Sequence, residues 1–182
     1  MKLLVPFART LLVPLTLAGF VSCSSTHVGG AHDADAQVSA AQFDKLKALA
    51  GTWVANVERD GHKMAVESRW RVTSAGNAVE ETLFAGTDHE MVSMYHRDGS
   101  GLMMTHYCAV GNQPRMRATP RSAGEPLVFE YVDATNLGSS DDLHMSAAAF
   151  VVKPNGELQE TWTASKNGKV DHSAEFTFTR KP

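Results

Sequence analysis

His106 and Cys108 stand two residues apart, as do Ser93 and Tyr95, and these four carry the side chains best suited to chemistry in the chain. Alternate residues of a strand share a face, so each pair projects together. An imidazole beside a thiol could form a nucleophile with its base, and an imidazole among hydroxyls and thioethers could orient a small molecule. The four lie in MVSMYHRDGSGLMMTHYCAVGNQPRM, residues 91–116, two β-type runs joined by Asp98–Gly101 and closed by Gly111–Pro114. With a plain turn, Arg97 faces Leu102, Ser93 faces His106, Tyr95 faces Met104 and Met91 faces Cys108. One face then reads Met91, Ser93, Tyr95, Met104, His106, Cys108, a polar patch in a Met-rich surface. The other reads Val92, Met94, His96, Met103, Thr105, Tyr107.

Other residues extend or limit that chemistry. Arg115 and Arg117 share a face just past Pro114 and could meet a carboxylate head group at the interior or mouth, since a guanidinium pairs bidentately with one. Trp70, on the apolar face of its own strand, is a further lining residue. Glu80 and Glu81 are adjacent and point to opposite faces, so they cannot act as a pair on one substrate. His89, His96, His106, His144 and His172 show no tight ligand spacing, so no metal is read. Cys108 has no recognisable orienting group or oxyanion loop, and the nucleophile elbow, phosphate loop and dinucleotide fingerprint are absent. Asp141 and Asp142 fall in an irregular acidic stretch, residues 133–142, read as a solvated rim loop.

These residues need elements to hold them. Met64, Val66, Trp70 and Val72 alternate with Ala65, Glu67, Arg69 and Arg71, the period of a strand with one buried face. Turn signals recur at 59–61, 74–77, 98–99, 112–114, 155–156 and 167–168 with no helical pattern between them. The fold class expected is all-β, an antiparallel up-and-down barrel of about eight to ten strands, closed so that no edge remains. A strict two-residue turn at Asn167–Gly168 would set Trp162 against Ser173 and separate it from Phe176 and Phe178, so a bulge or longer loop is expected there. One short helix precedes the barrel: Ser39 with Gln42 forms a capping-box pattern, Phe43, Leu46 and Leu49 recur on one side, and Gly51 stops it.

Residues 1–22 read as a secretory signal, with Lys2 and Arg9 ahead of an apolar run too short to span a bilayer. Phe20-Val21-Ser22-Cys23 resembles a bacterial lipobox, which implies lipidation of Cys23 and a chain anchored in the envelope, facing the periplasm, with the outer membrane favoured. Residues 23–38 are then a flexible tether, spanning on the order of 20 Å as a coil, and residues 39–182 the barrel domain. The 17 Lys and Arg fall to 15 when Lys2 and Arg9 leave with the signal, against 20 Asp and Glu. That balance excludes a nucleic-acid partner and leaves the lipid as the membrane contact. With Cys23 acylated, Cys108 has no intramolecular partner.

Leu49-Ala50-Gly51-Thr52-Trp53 resembles the start of the calycin barrels, the lipocalins and fatty-acid-binding proteins, and Phe176-Thr177-Phe178-Thr179-Arg180 resembles their last strand. The resemblance implies that Arg180 lies across Trp53 at the closed end, a contact of about 0.5–2 kcal/mol. YHRDGSGLMMTHYCAVGNQPRM, LHMSAAAFVV, ETWTASKNGK and AEFTFTR are together similar to a bacterial calycin-like family of unknown function. That likeness covers nearly all of residues 45–180 and implies a fold without a reaction. The related nitrobindin barrels hold haem through a histidine; here Trp53 is followed by Val54-Ala55-Asn56-Val57, without their second glycine pattern, and no cofactor is assigned. Four readings follow. The first is a barrel binding a small apolar or amphipathic ligand through Trp70, Tyr95, Met104, His106, Cys108, Arg115 and Arg117. The others are a filled barrel meeting a protein partner, a His/Cys enzyme, and a haem carrier.

Overall fold

The computed structural model describes residues 30–182 except 60, 119–121 and 123–124. The segment expected as a signal, Cys23 and the first part of the expected tether lie outside the described residues. Helix α1 (Gly30–Ala48) is followed by β1 (Gly51–Arg59), β2 (His62–Thr73), β3 (Ala78–Leu83), β4 (Met91–Asp98) and β5 (Gly101–Tyr107). Then come β6 (Gln113–Ala118), β7 (Leu127–Thr135), β8 (His144–Val152), β9 (Leu158–Lys166) and β10 (Lys169–Arg180). Each strand pairs with its neighbours in sequence, and β1 meets β10, so the sheet closes into a ten-stranded antiparallel barrel. That architecture is consistent with a calycin-like barrel.

The central hairpin has the register expected of a plain turn: Ser93↔His106, Tyr95↔Met104 and Arg97↔Leu102. The C-terminal hairpin carries the expected irregularity, between Val170 and His172. It moves Trp162 opposite Ala174 and Glu160 opposite Phe176, so Trp162, Phe176 and Phe178 all face inward. Without it the period of two would turn one of these sets to solvent.

The helix differs from expectation at its start. It begins at Gly30, so residues 30–38, expected as tether, are helical, and Ser39 is an interior residue, not a cap. Ala34 and Ala36 favour helix, and the Ser39 hydroxyl donates to the Gly101 carbonyl, 3.0 Å away, at the β4–β5 turn. Phe43, Leu46 and Leu49 are buried, as their spacing predicts, and Gln42 is buried beside them. The helix thus plugs the barrel end where β1 starts and β10 finishes.

Arg180 locks that end. Its guanidinium lies 4.3 Å over the Trp53 ring and donates to the Ala50 and Ala48 carbonyls at 2.6 and 2.8 Å, capping the helix terminus. The Trp53 indole donates to the Leu49 carbonyl at 2.8 Å. Gly51 has φ +134°, and a Cβ there would come within 2.7 Å of Arg180 Nη1. Both the backbone and the guanidinium therefore require glycine before Thr52-Trp53.

Candidate functional site: a buried polar cluster and a cleft beneath the helix

Two places among the described residues could do chemistry. The first is inside the barrel, where alternation along β2, β3, β4, β5 and β9 turns Ser68, Trp70, Glu81, Ser93, Tyr95, His106, Glu160 and Trp162 inward, all of them buried. The Tyr95 hydroxyl donates to Glu81 Oε2 at 2.6 Å and the Ser68 hydroxyl to Glu81 Oε1 at 3.1 Å. The Trp162 indole donates to Glu160 Oε2 at 3.2 Å. Ser93 Oγ and His106 Nδ1 are 2.9 Å apart, and the His106 ring packs on Trp162 at 4.7 Å. Trp70 Nε1, His106 Nε2 and Glu160 Oε1 have no hydrogen-bond partner among the described residues.

Burial dominates the electrostatics. It pushes Glu81 up to about 6, against the bonds from Tyr95, Glu160, Ser68 and Ser93, and raises Glu160 well above the carboxylate range, with the Glu81 charge adding to it. Burial lowers His106 to about 4, so the imidazole is neutral. Tyr95 is raised by burial and then by Glu81. Rings pack around this cluster: Trp70 stacks on Tyr95 at 5.4 Å, Phe150 meets Trp70 and Trp162 edge-on, and Phe129 meets Tyr95 at 5.5 Å.

The structure brings together five of the sequence-expected residues, Trp70, Tyr95, Met104, His106 and Cys108, on the inward face. Arg115 and Arg117 are not with them. Arg115 is exposed and paired with Asp133, through Nε to Oδ1 at 2.6 Å. Arg117 pairs with Asp98 and donates to its carbonyl at 3.0 Å. Both arginines alternate with inward Pro114, Met116 and Ala118, so they face outward and cannot meet a head group inside. Cys108 does not reach His106 for proton transfer either: its sulfur lies 4.0 Å from Met91 Sδ, His106 is engaged by Ser93, and burial raises the thiol. Among the described residues no group of three or more His, Cys, Asp or Glu is placed to hold a metal.

Glu81 and Glu160 are what sequence reasoning missed. Glu80 does point outward, to Arg71 at 2.7 Å, but Glu81 turns inward to Tyr95 and Ser68 and interacts with Glu160, far away in sequence. A signal was present: Glu81 falls between Val79 and Leu83, and Glu160 between Leu158 and Trp162, each in the apolar register of its strand. A carboxyl at a core position demands a buried partner.

The second place is a cleft of about 630 Å³ at the plugged end, between α1 and the ends of β7, β8 and β9. Leu46, Leu49, Leu127, Phe150, Val151 and Leu158 form its apolar lining, and Gln42, Lys45, Glu125 and Arg180 supply polar groups. None of the seven residues expected to bind ligand lines it; Trp53 and Arg180, read only as barrel closure, do. No protein-family model matches the chain, and no curated protein matches it.

Proposed function

We propose that this chain is a calycin-like envelope lipoprotein that binds a small amphipathic ligand, in the cleft beneath α1 and not in the barrel centre. The observation that carries this reading is the cleft itself: about 630 Å³, lined mainly by apolar side chains with a few polar groups among them. Small-molecule sites have that size and composition. The barrel centre is a poorer host, because Trp70, Tyr95, Phe129, Phe150 and Trp162 meet one another across it. His106 fits a haem poorly for the same reason, being 1% exposed with its ring against Trp162. The lipid on Cys23 would hold the barrel at the membrane, where amphipathic molecules are concentrated.

Native mass spectrometry on protein purified gently from bacterial extract tests the reading. A discrete added mass, lost on denaturation, is expected; Val151→Trp, which narrows the cleft, should abolish it, and His106→Ala should leave it. An added mass kept by Val151→Trp and lost in His106→Ala would move the ligand into the barrel. A bare protein mass from every growth condition would favour the other reading, a filled barrel meeting a partner, for which the exposed Tyr107, Val110, Tyr131 and Val132 speak.

A further inference from the structure

Glu81 on β3 and Glu160 on β9 reach each other across the barrel interior, carboxyl to carboxyl within hydrogen-bonding range. The short way round the sheet from β3 to β9 runs through β2, β1 and β10. That arc holds the weakest joint of the barrel. The β1–β2 ladder runs from Gly51↔Trp70 to Arg59↔His62, and the β9–β10 ladder from Leu158↔Phe178 to Lys166↔Lys169. Between β1 and β10 the ladder has only Trp53↔Arg180 and Val54↔Thr179, with Lys181 N donating to the Thr52 carbonyl at 2.8 Å just beyond. From Ala55 to Arg59 and from Lys169 to Phe178, the facing edges have no ladder partner among the described residues.

The carboxyl pair has no cation to neutralise it. Among the described residues no Lys or Arg is buried. Packed with the pair are Ser68 and Trp70 from β2, Ser93 and Tyr95 from β4, His106 from β5 and Trp162 from β9. The buried side chains of β1, β6, β7 and β10 are apolar. On β8 the one buried titratable group, His144, is turned to the Asp142 carbonyl at 2.8 Å and packs on Tyr131. Glu160 Oε1 has no donor among these groups. Two touching carboxylates in such a place cannot both ionise, and a proton between them supplies the missing donor.

We propose that Glu81 and Glu160 share a proton that clasps β3 to β9 behind the short β1–β10 seam, and that loss of this proton loosens the seam. The inference is independent of what the cleft binds. Burial raises both carboxyls, Glu81 to about 6 and Glu160 well above its ordinary value. The pair therefore keeps its shared proton to a pH above the ordinary carboxylate range. When that proton goes, two like charges face each other inside the barrel, and the joint that yields at least cost is the one with two ladder pairs.

Hydrogen exchange on the full chain, from about pH 6 to about pH 10 and corrected for the intrinsic amide rate, tests the clasp. Amides bonded across the seam, Lys181 among them, should open progressively, by up to about tenfold per pH unit for one proton released. Amides of the β5–β6 and β6–β7 ladders should stay flat. Glu160→Gln keeps a donor but has no proton to lose, and it should flatten the seam response. A flat seam in the wild type, or an unchanged slope in Glu160→Gln, would overturn the proposal. Should Glu160→Gln fail to fold, infrared spectroscopy of the wild type decides: a protonated-carboxyl band must persist at neutral pH and vanish in step with seam opening. Its absence at neutral pH would equally overturn the proposal.

Discussion

His106 and the Glu81–Glu160 pair pull the stability of the barrel in opposite directions as pH changes. His106 is depressed from 6.5 to about 4 by burial. Its neutral form is favoured by folding, so its contribution is whole above about 6.5 and is lost as pH falls toward about 4. Glu81 is raised from 4.5 to about 6, and Glu160 is raised further. Folding favours their protonated forms, so their contribution is whole below about 4.5 and is lost as pH rises through about 6 and beyond. Thermal unfolding midpoints should therefore fall on both sides of a mildly acidic maximum, each proton contributing up to about 1.4 kcal/mol per pH unit. His106→Gln should flatten the acid limb and Glu160→Gln the alkaline one; a midpoint that keeps rising above about pH 6 would contradict this assignment. These residues were unequally legible. His106 and Tyr95 could be placed on one inward face because a strand of known register leaves no choice. The Glu81–Glu160 contact depends on how a closed sheet folds back across itself, which local alternation does not encode.

At the scale of elements, the plain Asp98–Gly101 turn makes the β4–β5 register readable, and the mismatch of Trp162 with the phenylalanines in sequence points to the β10 bulge. The helix was readable where its stripe meets the barrel and unreadable upstream. Ser39 is a good cap by type, yet it is used as a buried donor to Gly101, a tertiary contact that overrides local preference. In sequence the glycine before Thr52-Trp53 carries only a family resemblance; its physical reason, room for Arg180, lies in the fold. The helix should also be a structural plug and one wall of the cleft. Leu46 is 1% exposed and lines that cleft, so Leu46→Ala should cost about 2–5 kcal/mol in denaturant unfolding. A cost below about 1 kcal/mol would mean that α1 is not packed as described.

For the whole molecule, the arrangement separates two tasks. The barrel centre holds polar groups in a ring-packed interior, where they set pH response and cohesion. The helix-plugged end leaves about 630 Å³ between α1 and the sheet. Arg115 and Arg117, which chain order places near the site, are spent on outer ion pairs with Asp133 and Asp98, and such exposed pairs contribute little. The measurement that tests this division most directly is an amide chemical-shift map during titration with 8-anilinonaphthalene-1-sulfonate, a small amphipathic probe. Saturating shifts should gather at Leu46, Leu49, Leu127, Val151 and Leu158 and leave Ser93, His106 and Glu160 unmoved. Shifts centred on those three interior residues, or no saturable shifts at all, would contradict a ligand site beneath the helix.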